Sequence, residues 1–522
     1  MTPSRRGFLK ASGVAVGAAM LPPWLLELQA AETAAVDKPQ LAEIALATAR
    51  RAGATYADVR INRYRFESIF TREQQVQEVK RSQSFGLGVR VLAGGTWGFG
   101  SSHVVNGAEV RQVAQQAIDI AKANAACQGK RISVAQAEKA SAKWKSAFEI
   151  DPFERPLDDK IQFLLKLNET AMKVKGVSFV NSELRFVNEQ KFLATSDGST
   201  IEQYIIRSYP AISTTAVDSA TGDFAERRSL PGPKSIGYEY LEKVSWQTEA
   251  DEAANEAVER LRAKPVEPGK YDLVLHPTHL WLTIHESVGH STELDRALGW
   301  EADYAGTSFL TPDKLGKFQF GSKRVNFFAD RTQPQGLATV GYDDEGVAAQ
   351  RWYLVKDGVF VDWQTTRELA ALIGRPSSNG CLHADSWGSV PFARMPNVSL
   401  EPSQDKVSLD DLVGGVENGI LIYGDGSYSI DHQRYNFQFG GESFWEIKGG
   451  RKGAMLRDVA YQSRTPDFWG ACDGLGGEDT FELGGALNDG KGEPTQANAV
   501  SHGCPVARFR QINVLNTRPR RP

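Results

Sequence analysis

The run His285-Glu286-Ser287-Val288-Gly289-His290 contains the residue types that metal-assisted hydrolysis requires. Such chemistry needs two or three protein ligands, an open coordination position and a carboxylate close by. Histidines four apart on an α-helix lie about 40° from alignment, whereas these are five apart and about 140° out of line. A regular helix would not aim both at one ion. A π-bulge or a break near Gly289 brings them together, and such bulges concentrate at functional sites. On spacing alone, two histidines in an ordinary buried helix is an equal reading. Context shifts the balance, because Leu280-Trp281-Leu282 makes the segment apolar. Burying His285, Glu286 and His290 there is costly unless they share a partner. Glu286 is the candidate general base, taking a proton from water and returning it to the leaving amine. Glu293, three residues after His290, is placed to hydrogen-bond that ligand from behind.

The remaining candidates carry less. His276 and His279 precede the helix and read as caps or surface groups. Asp343-Asp344-Glu345 reads as a solvated acidic turn, and His383 with Asp385 near Cys381 fits no metal template. Gly484-Gly485 is not followed by GK[ST] and makes no phosphate loop. Cys127, Cys381, Cys472 and Cys504 are widely spaced without a CxxC, so they form no disulfide framework.

These residues must be positioned by a β-rich second half. A strand over Tyr271–Leu275 leads to the motif helix, with Thr278 as the expected N-cap. Arg351–Gln364 alternates around Asp357-Gly358, and Ser443–Arg457 around Gly449-Gly450, both hairpin patterns. In the first half, helical spacing covers Leu41–Arg51, Val110–Ala126, Leu157–Val174 and Glu249–Ala263. Strands are expected over Tyr56–Thr71, a hairpin over Gly86–Gly100, and several antiparallel strands over Val177–Val217. Pro265 to Gly269 reads as a hinge. The fold class is therefore α+β. A signal segment at 1–31 precedes an N-terminal mixed α/β domain at 36–262. A β-rich domain at 263–516, barrel-like or sandwich-like, carries the metal-site helix.

The chain has 522 residues, 41% hydrophobic and 24% charged, with a mean hydropathy of −0.36. That balance excludes wholesale disorder and a polytopic membrane protein. Its net charge of −4 lacks the positive excess of a nucleic-acid binder, so no nucleic-acid partner is expected. Ser4-Arg5-Arg6-Gly7-Phe8-Leu9-Lys10 is a twin-arginine pattern, followed by an apolar run to Leu26 and small residues at Ala30 and Ala31. The expected location is the periplasm, or another exported compartment reached by that route, with no membrane anchor after signal removal.

Several segments recur in order: Gly53-Ala54-Thr55-Tyr56-Ala57-Asp58, Gly88-Val89-Arg90-Val91, Trp97-Gly98-Phe99 and the histidine motif. Asp343-Asp344-Glu345-Gly346, Pro391-Phe392-Ala393-Arg394-Met395-Pro396-Asn397 and a closing glycine-rich stretch follow. From about Leu41 to Asn516 the sequence thereby resembles the TldD/PmbA family, also called modulators of DNA gyrase, in its metallopeptidase branch. The resemblance implies a zinc peptidase acting on peptides or unstructured protein segments. It also implies a dimer, either a homodimer or a heterodimer with a PmbA-like subunit, in which this chain is the catalytic partner. The family's third ligand is a cysteine in a Cys-Gly-Lys-Gly-type loop. Here the loop reads Asp489-Gly490-Lys491-Gly492, so the implied ligands are His285, His290 and Asp489, with Cys504 and Cys472 as rivals. The carboxylate would hold zinc less exclusively than a thiolate, leaving room for other divalent metals. The alternative is a non-catalytic metal-binding or scaffold subunit of a TldD/PmbA-type complex.

Overall fold

The computed structural model describes residues 36–127 and 129–518. The twin-arginine segment expected at 1–31 lies outside the described residues.

Long antiparallel strands build the first half. Tyr56–Arg72 lies between Gln75–Ala93 and Val177–Thr195, and Thr200–Val217 continues the sheet beyond. Thr96–Ser102 forms one edge. Its hairpin turns on Gly94 and Gly95, whose φ values of 65° and 81° suit a primed turn that matches strand twist. The second strand begins at Gln75, earlier than the hairpin expected from Gly86. Its first ten residues are all exposed, and the only apolar ones, Val76 and Val79, are three apart and so make no strand alternation. Val177–Val217 is two strands of 19 and 18 residues, joined by a turn at Ser196–Gly198.

Helices Lys38–Arg51 and Gly107–Ala125 pack Leu41, Ala45, Ala114 and Ala117 over Val59, Ile61, Val89 and Val91. The approach is close: a Cβ on Gly98 would lie 1.9 Å from the Ala117 carbonyl. Helices Leu157–Met172 and Trp246–Arg262 cover Leu184, Phe186 and Ile212 in a second cluster.

In the second half five strands close on themselves. Asn418–Ile430 pairs in parallel with Gly269–Leu275, which pairs with Ala507–Asn516, then Val459–Arg464, then Asn436–Lys448, which returns to Asn418–Ile430. Of the two forms expected, the β-rich part thus contains a barrel. Leu273, Ile420, Ile422, Phe439, Tyr461 and Phe509 share its apolar cluster with Leu280, Ile284 and Val288 of the motif segment. A ribbon of Glu482–Lys491 and Gln496–Cys504 lies against that segment. The helix starts at Pro277, not after Thr278. His276 is its N-cap and accepts from the Thr278 N–H, because proline suits the first helical position. No helix among the described residues is long and apolar enough to cross a membrane.

Candidate metal centre

The motif helix Pro277–Ile284 widens into a π-helix over His285–Gly289, where the His290 N–H donates to the His285 carbonyl five residues back. The extra residue in the turn rotates the two histidines onto one side, and their ring centroids lie 4.6 Å apart. Hydroxyls stabilise the irregular turn: Ser287 donates to Thr283 O, Ser291 to Ser287 O and Thr292 to Val288 O. Gly289 lets the turn press against Met395, since a Cβ there would sit 2.4 Å from its sulfur.

Asp489 reaches this point from the ribbon. Its Oδ1 is 3.6 Å from His285 Nε2 and 3.7 Å from His290 Nε2, and all three residues are buried. Ligand atoms around a tetrahedral zinc with bonds near 2.0–2.1 Å lie about 3.3 Å apart. The three groups fit such an ion with a slight contraction.

Hydrogen bonds behind the triad fix which nitrogens are free. His502 Nδ1 lies 2.8 Å from the Val398 carbonyl, which can only accept, so that nitrogen carries the proton. His502 Nε2 then accepts from His285 Nδ1 at 2.8 Å, leaving the lone pair of His285 on Nε2. His290 Nδ1 donates to Glu293 Oε2 at 2.8 Å, with the same consequence. Glu293 is held in turn by Lys491 Nζ at 2.8 Å and Arg296 Nε at 2.5 Å. Lys491 is fully buried and also donates to Asp295 and the Ala393 carbonyl. A buried ammonium persists only when paired this completely. Arg394 fixes Asp489 through Oδ2 at 3.0 Å and through its carbonyl.

Electrostatics follow this arrangement. Burial, reinforced by Arg296 and Arg434, pulls His290 well below the usual imidazole range. Burial lowers His502 as well. At His285 burial also acts downward, but contact with Asp489 reverses it and the net shift is upward. Burial would raise Asp489, yet His285, His290 and Arg394 hold its carboxyl far below the ordinary range.

The triad opens into a cavity of about 540 Å³ that Glu286, Tyr304, Tyr428 and Arg434 also line. Arg434 donates to Glu286 Oε2 at 2.8 Å and to the Ala305 carbonyl at 2.8 Å. A larger groove of about 720 Å³ adjoins it across Trp281, Asp425, Ala486 and Asn488.

The rival cysteines lie elsewhere. Cys504 points its buried thiol at the Pro277 carbonyl and Cys472 at that of Gly474, and burial raises both thiols. His279 is no surface group; it is buried between the Gly424 carbonyl and the Tyr461 hydroxyl. The acidic turn is buried too, with Asp344 paired to Lys191 and Glu345 near Arg90. Gly484 makes room for Trp281, whose ring a Cβ would meet at 2.2 Å. Spacing and motif assign no role at this site to His502, Arg394, Lys491 or Arg434. Proximity in sequence could not find them, because His502 and Lys491 meet their partners across 217 and 198 residues.

The chain matches the PmbA/TldA metallopeptidase C-terminal domain over residues 268–516, domain 1 over 57–121 and the central domain over 150–264. It is 26% identical to a metalloprotease of Methanocaldococcus jannaschii over 84% of this chain and 93% of that protein. With a metalloprotease TldD homolog of Haemophilus influenzae the identity is 27%, over 77% and 82%. A zinc metalloprotease TldD homolog of Saccharolobus solfataricus is 24% identical over 49% of this chain and 54% of its own length. Among solved structures, a Thermotoga maritima protein superposes with a TM-score of 0.73 at 16% identity, covering 91% of this chain and all of the other. TldE from Thermococcus kodakarensis gives 0.71 at 16%, over 90% and 98%. These two likenesses bear on the fold alone.

Proposed function

The chain belongs to the PmbA/TldA metallopeptidase family, and from that premise we propose that it hydrolyses peptide bonds in peptides or unstructured protein segments. His285, His290 and Asp489 would hold a zinc ion or a related divalent cation, and Glu286 is the general base. The observation that carries this reading is the convergence of two imidazole lone pairs and one carboxylate on a single point beside a cavity. When bound, the ion supplies a Lewis acid that polarises water and the scissile carbonyl. Glu286 takes the proton of the attacking water and passes it to the departing nitrogen. Arg434 orients that carboxylate, while His502 and Glu293 hold the imidazoles in the tautomer that leaves Nε2 free. Because His285, His290 and Asp489 are all buried, a chain that can enter the cavity in extended form is a better substrate than a folded surface. Export through the twin-arginine route, and a dimeric assembly, belong to the same reading; the first is motivated by Ser4–Lys10 and the second by the family resemblance.

The test is Glu286→Gln. It should retain the parent's bound metal and lose turnover of an unstructured peptide by about 100-fold or more. Near-normal turnover in that variant would remove Glu286 as the base.

A further inference from the structure

One hydroxyl in the metal cavity is left without a role by the chemistry above. Tyr428 lines the same cavity as His285, Glu286, His290 and Asp489. Its side chain is 59% exposed, and among the described residues its hydroxyl has no hydrogen-bond partner. Tyr461, on a neighbouring part of the barrel, is by contrast buried and bonded to His279 and Thr283. An aromatic side chain held out at the mouth of a polar cavity, with a free donor, is available to a ligand.

The backbone places it there. Strand Asn418–Ile430 pairs with Asn436–Lys448 in register as far as Asp425 opposite Gly441, then resumes with Tyr428 opposite Phe439. One extra residue is therefore inserted, a bulge of the kind that re-aims side chains beside active sites. The interruption breaks strict in-out alternation, and Asp425, Gly426 and Tyr428 all face the cavity. Gly426 fits the bulge because a Cβ there would lie 2.6 Å from the Gly441 carbonyl. Tyr428 and Glu286 line the same cavity, and the charge of Glu286, more than burial, raises the Tyr428 phenol above its ordinary value.

We propose that Tyr428 is a catalytic residue whose hydroxyl donates to the substrate carbonyl oxygen as that oxygen becomes anionic. The inference rests on the hydrolase reading above. In the step concerned, the water oxygen bonds to the carbonyl carbon while Glu286 accepts the water's proton. The π pair moves onto the carbonyl oxygen, and Tyr428 hydrogen-bonds to it without giving up its proton. Collapse re-forms the carbonyl, breaks the C–N bond and delivers the Glu286 proton to nitrogen. A donor aimed at the developing charge lowers the barrier more than it strengthens ground-state binding.

Tyr428→Phe tests this, since it keeps the ring and removes only the donor. On an unstructured peptide, kcat should fall about 100-fold with KM and bound metal unchanged. Affinity for a phosphinic pseudopeptide, a tetrahedral anion, should fall about 10-fold or more. The same peptide's Kd, measured on Glu286→Gln protein with and without Tyr428→Phe, should stay constant. A kcat within threefold of the parent while Glu286→Gln is inactive would overturn the role of Tyr428 alone. A rise in KM with unchanged kcat would also overturn it and make the ring a substrate-binding wall. Full turnover by Glu286→Gln would remove Glu286 as the base and with it the step assigned to Tyr428, whereas a parent protein that neither cleaves peptide nor binds the phosphinate would remove the hydrolase reading.

Discussion

The motif segment and the acidic turn at Asp343–Glu345 are both buried and both crowded with charge, yet their acceptors are used in opposite ways. In the turn every carboxylate is answered by the protein. Asp343 accepts from the backbone N–H groups of Glu345, Val347 and Leu382. Asp344 accepts from Lys191 and Ala384, and Glu345 from the Arg367 N–H. Around His285 the outward nitrogens are tied down, but two Nε2 atoms and a carboxylate oxygen face one another, and among the described residues no hydrogen bond reaches them. Burial and charge mark both places; convergent, unanswered acceptors mark only one. That difference separates the proposed metal site from a structural ion cluster.

The sharpest contrast should come from removing one charge in the turn. Asp344→Asn strips the partner from buried Lys191 and should cost about 3–5 kcal/mol in denaturant unfolding while leaving metal content unchanged. Loss of metal in that variant would break the distinction. Next in size, His502→Leu removes the acceptor behind His285 and should weaken zinc affinity about 10- to 100-fold. Its unfolding midpoint should move less than that of Asp344→Asn. Competition with a chelator measures the first and denaturant titration the second.

The smallest effect concerns pH. Burial raises Asp343 and Glu345 above ordinary carboxyl values, with the Asp343 charge adding to the shift at Glu345. The folded chain thus keeps a proton that the unfolded chain has released above about pH 4. More protons bound in the folded state mean that stability falls as pH rises from there, until the folded pair also ionises. Asp344 acts oppositely. Burial would raise it, but Lys191, His383 and Arg60 hold it low, so its contribution exists above about pH 4 and is lost on acidification. Between pH 5 and pH 8 the melting temperature should therefore decline, and Glu345→Gln should flatten that decline by about 1 kcal/mol or more. An unchanged slope would mean that the turn holds no such proton.

Legibility followed the range of the interactions. The hairpins at Asp357-Gly358 and Gly449-Gly450 rest on local turn chemistry and stand where their residues indicate. The five-residue histidine spacing demanded a widened turn, and the π-helix supplies it. Thr278 misled because the side chain of His276, two residues earlier, caps the helix. The acidic turn misled more deeply. Three consecutive acids look solvated until Lys191, 153 residues away, and Arg90 from the first half's sheet close over them. His502 escaped for the same reason: a hydrogen-bond partner 217 residues away leaves no trace in spacing.

The third ligand is the most exposed part of this account, since aspartate stands where the family resemblance implies cysteine. Metal content after identical dialysis tests it most directly. Asp489→Ala should lose metal, and Asp489→Cys should regain it with a stronger preference for zinc over manganese or cobalt. Cys472→Ala and Cys504→Ala should keep the parent's content, because their thiols face the Gly474 and Pro277 carbonyls rather than the histidines. Metal lost from Cys504→Ala but retained by Asp489→Ala would contradict the assignment.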